Sequence, residues 1–192
     1  MEGIKIVQWS FFAFNRNTFI EIRRDLYAAV LSGDFHSLKL EGVKSTLDSL
    51  EDNLPAQTIA GAIIADICGE GDWLLFSGVL PDLLVKLRRS PDGRDVSEML
   101  SELLTANAGM EEWFLADEGL IGIFTPERTL LLAKAFSRID LPDLIKAPGK
   151  AASLFLRRLR TGENPVDLLQ DLDDFVQECA NSGYGIGVWR EN

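Results

Sequence analysis

Residues 164–189 read NPVDLLQDLDDFVQECANSGYGIGVW, and two periodicities meet inside that stretch. Val166, Leu168, Leu169, Leu172, Phe175, Val176 and Cys179 recur at helical spacing, which gives a helix one apolar stripe. Asn164-Pro165 opens that helix, because proline is tolerated where the first N–H groups have no partner anyway. Gly183 stands where a glycine ends a helix. Beyond it Ile186 and Val188 alternate with glycines and lead to Trp189, the period of a strand. The chain therefore reads as ending on an amphipathic helix followed by a strand.

The opposite end is also extended. Ile4 to Phe14 is rich in Ile, Val, Trp and Phe, which suits a strand. Asn15-Arg16-Asn17 ends it, and Thr18 with Glu21 has the form of a capping box. Phe19, Ile22, Leu26, Ala29 and Val30 then predict a helix closed by Gly33. Val43, Leu47, Leu50 and Leu54 form the next stripe, broken by Pro55. From Pro55 to Cys68 the chain is apolar nearly all round, which places that helix in the centre of the core. Gly69 and Gly71 close it. Asp72 is expected to cap a short helix through Phe76, and Pro81 to start another that ends near Arg89.

Ser90-Pro91-Asp92-Gly93 is a turn, since Pro fixes φ and Gly allows positive φ. Asp95 is expected to cap a helix with Val96, Met99, Leu100, Leu103 and Leu104 inward. Trp113–Leu115 and Leu120–Phe124, joined by Asp117-Glu118-Gly119, predict a hairpin. Thr125-Pro126-Glu127 is a helix start with cap, N1 proline and early acid in order, and that helix runs to about Arg138. Pro142 and Pro148 each begin another. Strands at both ends and in one central hairpin do not alternate regularly with helices. The expectation is one helix-rich α+β domain over residues 1–192, with a small, mostly antiparallel sheet of three to four short strands.

The totals bound the function. A chain of 192 residues can bury a core without staples, and 46% hydrophobic with 26% charged residues is ordinary globular composition. No apolar run approaches the ~18 residues of a membrane span. The start lacks the basic flank and cleavage site of a signal peptide, so the cytosol is the expected compartment. The two cysteines, Cys68 and Cys179, make neither a disulfide framework nor a metal motif, and each is expected as a buried reduced thiol. The only histidine is His36, which rules out a multi-histidine metal site. Glycine-rich phosphate loops, Cys-x-x-Cys, His-Glu-x-x-His and Gly-x-Ser-x-Gly patterns do not occur. No cofactor is implied.

The formal net charge is −11, which disfavours nucleic acid and permits a basic protein partner. Residues 126–162 hold eight basic and three acidic residues, whereas residues 163–192 hold one basic and seven acidic. Asp167, Asp171, Asp174 and Glu178 follow one another at i, i+4, i+7 and i+11, one acidic ridge beside the apolar stripe. Lys150, Arg157, Arg158 and Arg160 precede it. The ridge can pair with those arginines, be solvated, or meet a basic partner, while the arginine cluster could instead contact phosphate. A second anomaly is Asp66, which interrupts the apolar run Ile63–Cys68. Glu70 lies one helical turn on and Asp72 follows. A desolvated carboxylate there could serve as acid or base, but a solvent-facing one on a core helix explains the pattern equally simply.

Three features together resemble the YfbM-like family, small bacterial proteins of unknown function. They are the start Gly3-Ile4 into a strand; Ile123-Phe124-Thr125-Pro126-Glu127 followed by Leu130, Ala133 and Phe136; and the passage from Phe175 and Ala180 through Gly183 into Gly185-Ile186-Gly187-Val188-Trp189. The likeness covers about a third of the chain, and Val43-x-x-x-Leu47 replaces an aromatic and histidine-bearing helix. It implies a similar α+β fold and carries over no catalytic residue. The expected function is non-enzymatic: binding a basic protein through the acidic ridge, in an immunity-like or adaptor role. The alternative is a small-ligand binder or enzyme using carboxylates near Asp66 and Glu70.

Overall fold

The computed structural model describes residues 7–51, 53–77, 80–105, 119–141 and 165–191. In chain order the elements are β1 (Gln8–Phe14), α1 (Arg16–Ser32), a 3-10 turn (Phe35–Ser37), α2 (Val43–Ser49), α3 (Ala56–Cys68), β2 (Gly69–Ser77), α4 (Leu80–Arg89), α5 (Arg94–Leu104), β3 (Gly119–Phe124), α6 (Pro126–Phe136), α7 (Pro165–Ser182) and β4 (Gly185–Glu191). The four strands form one sheet in the order β2-β1-β4-β3, and every neighbouring pair is antiparallel. The α+β class and the small antiparallel sheet are as the sequence predicts.

Helices cover both faces of the sheet, and the alternation along β1 sorts them. Trp9, Phe11 and Ala13 point to one face. There they meet Leu80, Leu83 and Leu87 of α4, Val96, Leu100 and Leu103 of α5, Leu132 and Phe136 of α6, and Leu172 and Val176 of α7. Phe12 and Phe14 point to the other face, against Ile22, Leu26 and Ala29 of α1 and Ile63, Ile64 and Cys68 of α3. Burying each large side chain stabilises the fold by roughly 1.5–3 kcal/mol, so both faces of β1 are strongly specified and its register cannot slip.

The strand glycines of the C-terminal run have a packing role. Gly187 lies opposite Phe12 across the β1–β4 ladder, and a Cβ at Gly187 would fall on the Phe12 ring. Gly185 is opposite Phe14 and presses against the backbone carbonyl of Phe124 on β3. The missing side chains let two phenyl rings lie across the sheet, which is why this face is smooth enough to seat α3. Gly33, by contrast, is required by its φ of +72° at the end of α1 and has open space around it.

Local predictions fare unevenly. Thr125 accepts from the Arg128 N–H at the start of α6, with Pro126 following, as its sequence dictates. The start of α1 is a correction: Asn15, not Thr18, is the cap, and its Oδ1 accepts from the N–H groups of Asn17 and Thr18. The expected cap of α5 is also corrected, because Gly93 occupies the cap position and Asp95 sits in the first turn. The segment 69–77 is the largest correction. It is strand β2 and not a short helix capped by Asp72, because Leu74 and Phe76 complete the apolar face begun by Phe11 and Trp9. Trp113–Leu115, Pro142 and Pro148 lie outside the described residues.

The close approach at Gly187 is testable. Gly187→Ala should lower stability by ~1–3 kcal/mol through overpacking, read from the denaturant midpoint. In a Phe12→Leu background the same change should cost at least ~0.5 kcal/mol less, because the two sites are in contact. Gly33→Ala should cost ~1–2 kcal/mol from backbone strain alone, with no coupling to Phe12.

Candidate acidic groove

Helix α3 runs directly into β2, with Gly69 as the junction. Two residues along β1 from Phe11 to Ala13 match four along β2 from Leu74 to Glu70, so Gly71, Asp72 and Trp73 bulge opposite Phe12 alone. Gly71 makes this possible with φ +68°. A bulge bends its strand and re-aims its side chains. Trp73 stays anchored by stacking on Phe12, with ring centroids 5.0 Å apart, while Glu70 and Asp72 are exposed.

Helix α7 brings the second wall. Its apolar stripe is buried, with Leu168, Leu169, Leu172, Val176 and Cys179 inward, and Asp167, Asp171, Asp174 and Glu178 are all exposed on the outer flank. The helix lies so that this flank runs beside the bulged end of β2. Between them is a groove of about 530 Å³. Its carboxylates are Glu70 and Asp72 from β2, and Asp171, Asp174 and Glu178 from α7. Trp73, Phe175 and Tyr184 provide apolar wall, and Ala13 and Cys179 lie among the lining residues.

Two carboxylates in the groove are held locally. Glu70 accepts from the Asn15 side-chain amide at 3.2 Å. Asp174 accepts from the Gln170 amide at 3.0 Å. Asn15 does three jobs at once: it caps α1, bonds Glu70, and donates its backbone N–H to the Cys68 carbonyl at 2.8 Å. The rim of the groove is thereby tied to the ends of α3 and β1 and to the start of α1.

Both thiols flank this region and both are buried. Burial pushes Cys68 up from 9.0 to about 12, aided by the negative charge of Glu70. Cys179 rises to about 12 for the same reasons, with Glu178 as the neighbouring charge. Such thiols stay protonated and poorly nucleophilic at neutral pH.

The predicted site residues divide. Asp171, Asp174 and Glu178 come together with Glu70. Asp167 lies one turn before them on the same ridge and does not line the groove. Asp66 is exposed on α3 and does not line it either. Asp66 and Glu70 do not share a helix face, because the helix ends at Cys68 between them. Of the basic residues that precede the ridge, Arg128 pairs with Glu102 and Arg138 lies 3.9 Å from Asp95; Lys150, Arg157, Arg158 and Arg160 lie outside the described residues. His36 is exposed on the 3-10 turn, away from the groove lining. Sequence reasoning missed Trp73 and placed Asp72 in the wrong element. The signal was Gly69-x-Gly71, which marks a bulge as readily as a helix end.

Among the described residues no group of three or more His, Cys, Asp or Glu could hold a metal ion, and no helix is long and apolar enough to cross a membrane. In comparisons with known proteins the chain matches no family model, no curated protein and no solved structure.

Two outcomes are expected. At pH 8 a thiol reagent should modify Cys68 and Cys179 only as fast as the protein opens, and promptly in denaturant. The folded thiols titrate above their ordinary value, so the stability linked to them is held below pH 9 and lost as pH rises toward 12; the denaturant midpoint should fall across that window. Asn15→Ala should cost ~0.5–2 kcal/mol as a lost cap.

Proposed function

We propose that this chain is a non-enzymatic, cytosolic protein that binds a basic partner protein in the groove between β2 and α7, as an immunity-like or adaptor protein does. One observation carries the reading: two elements far apart in sequence converge so that five carboxylates line a single groove walled by Trp73, Phe175 and Tyr184. Carboxylates accept hydrogen bonds and attract cations, and Arg or Lys side chains are their natural complement. Aromatic walls suit the stems of those residues and the face of a guanidinium. The net charge of −11 adds a long-range field that speeds encounter with a cationic surface. The YfbM-like resemblance belongs to the same proposal; it implies an α+β frame and supplies no catalytic residue.

A second reading shares the groove. Its volume lies within the range of small-ligand sites, and Glu70 is oriented by Asn15. A small cationic ligand, bound or processed by carboxylates around Glu70, would use those features, with Asp66 outside the groove taking no part.

A fluorescent Arg/Lys-rich peptide of about twelve residues separates the two. The expected result is saturable binding that weakens as salt screens the charges. The triple variant Asp171→Asn, Asp174→Asn, Glu178→Gln should lose at least about tenfold in affinity, ~1.4 kcal/mol. Its melting temperature should not fall, since like charges on a helix repel. Asp66→Asn should bind as the parent does. Unchanged peptide binding by the triple variant would sink the proposal. Tight binding of spermidine or methylguanidine that depends on Glu70→Gln, without peptide binding, would favour the second reading.

A further inference from the structure

Asn15 sits where three parts of the chain meet, and each of its polar groups is engaged. Its backbone N–H donates to the Cys68 carbonyl at 2.8 Å, and its own carbonyl accepts from the Phe19 N–H at 3.2 Å. Its Oδ1 accepts from the N–H groups of Asn17 and Thr18, in the first turn of α1. Its Nδ2 donates to Glu70 on the rim of the groove at 3.2 Å. The sheet sets the backbone on both sides of that last bond, because Ala13 pairs with Glu70 and Phe14 with Gly69. What stays adjustable is the two side chains.

The two ends of one rigid amide therefore face different elements. Aspartate or serine would cap α1 as well. An aspartate, however, has no donor and would set a second carboxylate against Glu70, and a serine lacks the second polar atom that reaches Glu70. Turning the amide over would point its NH2 at the N–H groups of α1 and its oxygen at the carboxylate, so one orientation alone satisfies both ends. A carboxylate has room for several donors, so Glu70 can hold Asn15 and a cationic group together. Fixing Glu70 then fixes the amide, and a fixed amide holds the cap. We propose that Asn15 is a positioning residue that couples the acidic groove to the first turn of α1. A cation seated on Glu70 tightens the cap, and by the reciprocity of linked equilibria the cap amide strengthens cation binding. The effect on a partner rests on the groove being a binding site; the link between Glu70 and the cap does not.

Two measurements separate those parts. The first uses no ligand: NMR solvent-exchange rates of the Asn17 and Thr18 N–H groups in the full chain. Glu70→Ala should speed both about threefold, the scale of losing the order of one side chain. Glu70→Gln keeps an acceptor oxygen without the charge and should leave them near the parent rates. Exchange at the Ala29 N–H, near the far end of α1, should be the same in all three. The second titrates the fluorescent Arg/Lys-rich peptide. Asn15→Ser, with a melt like the parent's, should bind it about threefold more weakly, and should have no further effect in a Glu70→Ala background. Saturating peptide should slow Asn17 and Thr18 exchange in the parent and not in Asn15→Ser. Unchanged exchange in Glu70→Ala overturns the coupling, whatever the groove binds. Equal speeding in Glu70→Ala and Glu70→Gln also overturns it, since the carboxylate would then act on the helix N-terminus through its charge alone. Peptide binding by Asn15→Ser at the parent's affinity overturns the claim that the amide serves the groove. A parent with the expected exchange pattern that binds no peptide supports the link between Glu70 and the cap and sinks the groove as a partner site.

Discussion

The contact on which most of the structure depends is the Phe12 ring lying over Gly187 at the centre of the sheet. It fixes the pairing of the first strand with the last, which brings the two ends of the described chain together. With β1 and β4 joined, β2 and β3 lie on either side of that pair and are the outer two of the described strands. The same ring stacks on Trp73 from the other side. One fully buried phenyl group therefore specifies both ladders of β1: the regular one with β4 and the bulged one with β2. A glycine at 187 costs strand propensity, and the buried ring it admits more than offsets that loss.

The groove follows from that arrangement. Because Trp73 is drawn to Phe12, the residues before it must bulge, and Gly71 absorbs the turn with positive φ. The bulge leaves Glu70 and Asp72 exposed at the sheet edge. Helix α7 is pinned separately, by Leu172, Val176 and Cys179 on the core face, and its acidic flank has nowhere to go but alongside that edge. Neither wall was positioned by attraction between the walls, since both are acidic. Apolar burial on two independent surfaces holds the carboxylates together.

The elements that could be read from sequence are those whose local signals agree with their packing. Helix α7 shows a clean apolar stripe and a terminal glycine, and α6 shows cap, proline and acid in order. In both, period and chemistry point the same way. Strand β2 was misread because Gly69-Glu70-Gly71-Asp72 resembles a helix end followed by a new cap. Only the long-range match of Leu74 and Phe76 to Phe11 and Trp9 shows it to be a strand, and tertiary pairing overrides local preference in such cases. Asn15 lost to Thr18 for a related reason: the capping box is a local pattern, while Asn15 is held by Cys68 and Glu70 from distant parts of the chain. Half of the groove was legible, as the ridge on α7. The other half was not, because which edge of the sheet lies beside a helix is a property of topology.

A cluster of like charges needs a physical reason to persist. Exposed like charges repel by only ~0.2–0.5 kcal/mol per neighbouring pair. Five exposed carboxylates around one groove therefore cost the folded state little. Phe12 and the stripe of α7 supply far more than that by burial, so the fold tolerates the cluster without any cation. A cationic group entering the groove would remove part of the repulsion as well as adding its own contacts. Its affinity would come mainly from those contacts, on walls that the apolar core already holds in place.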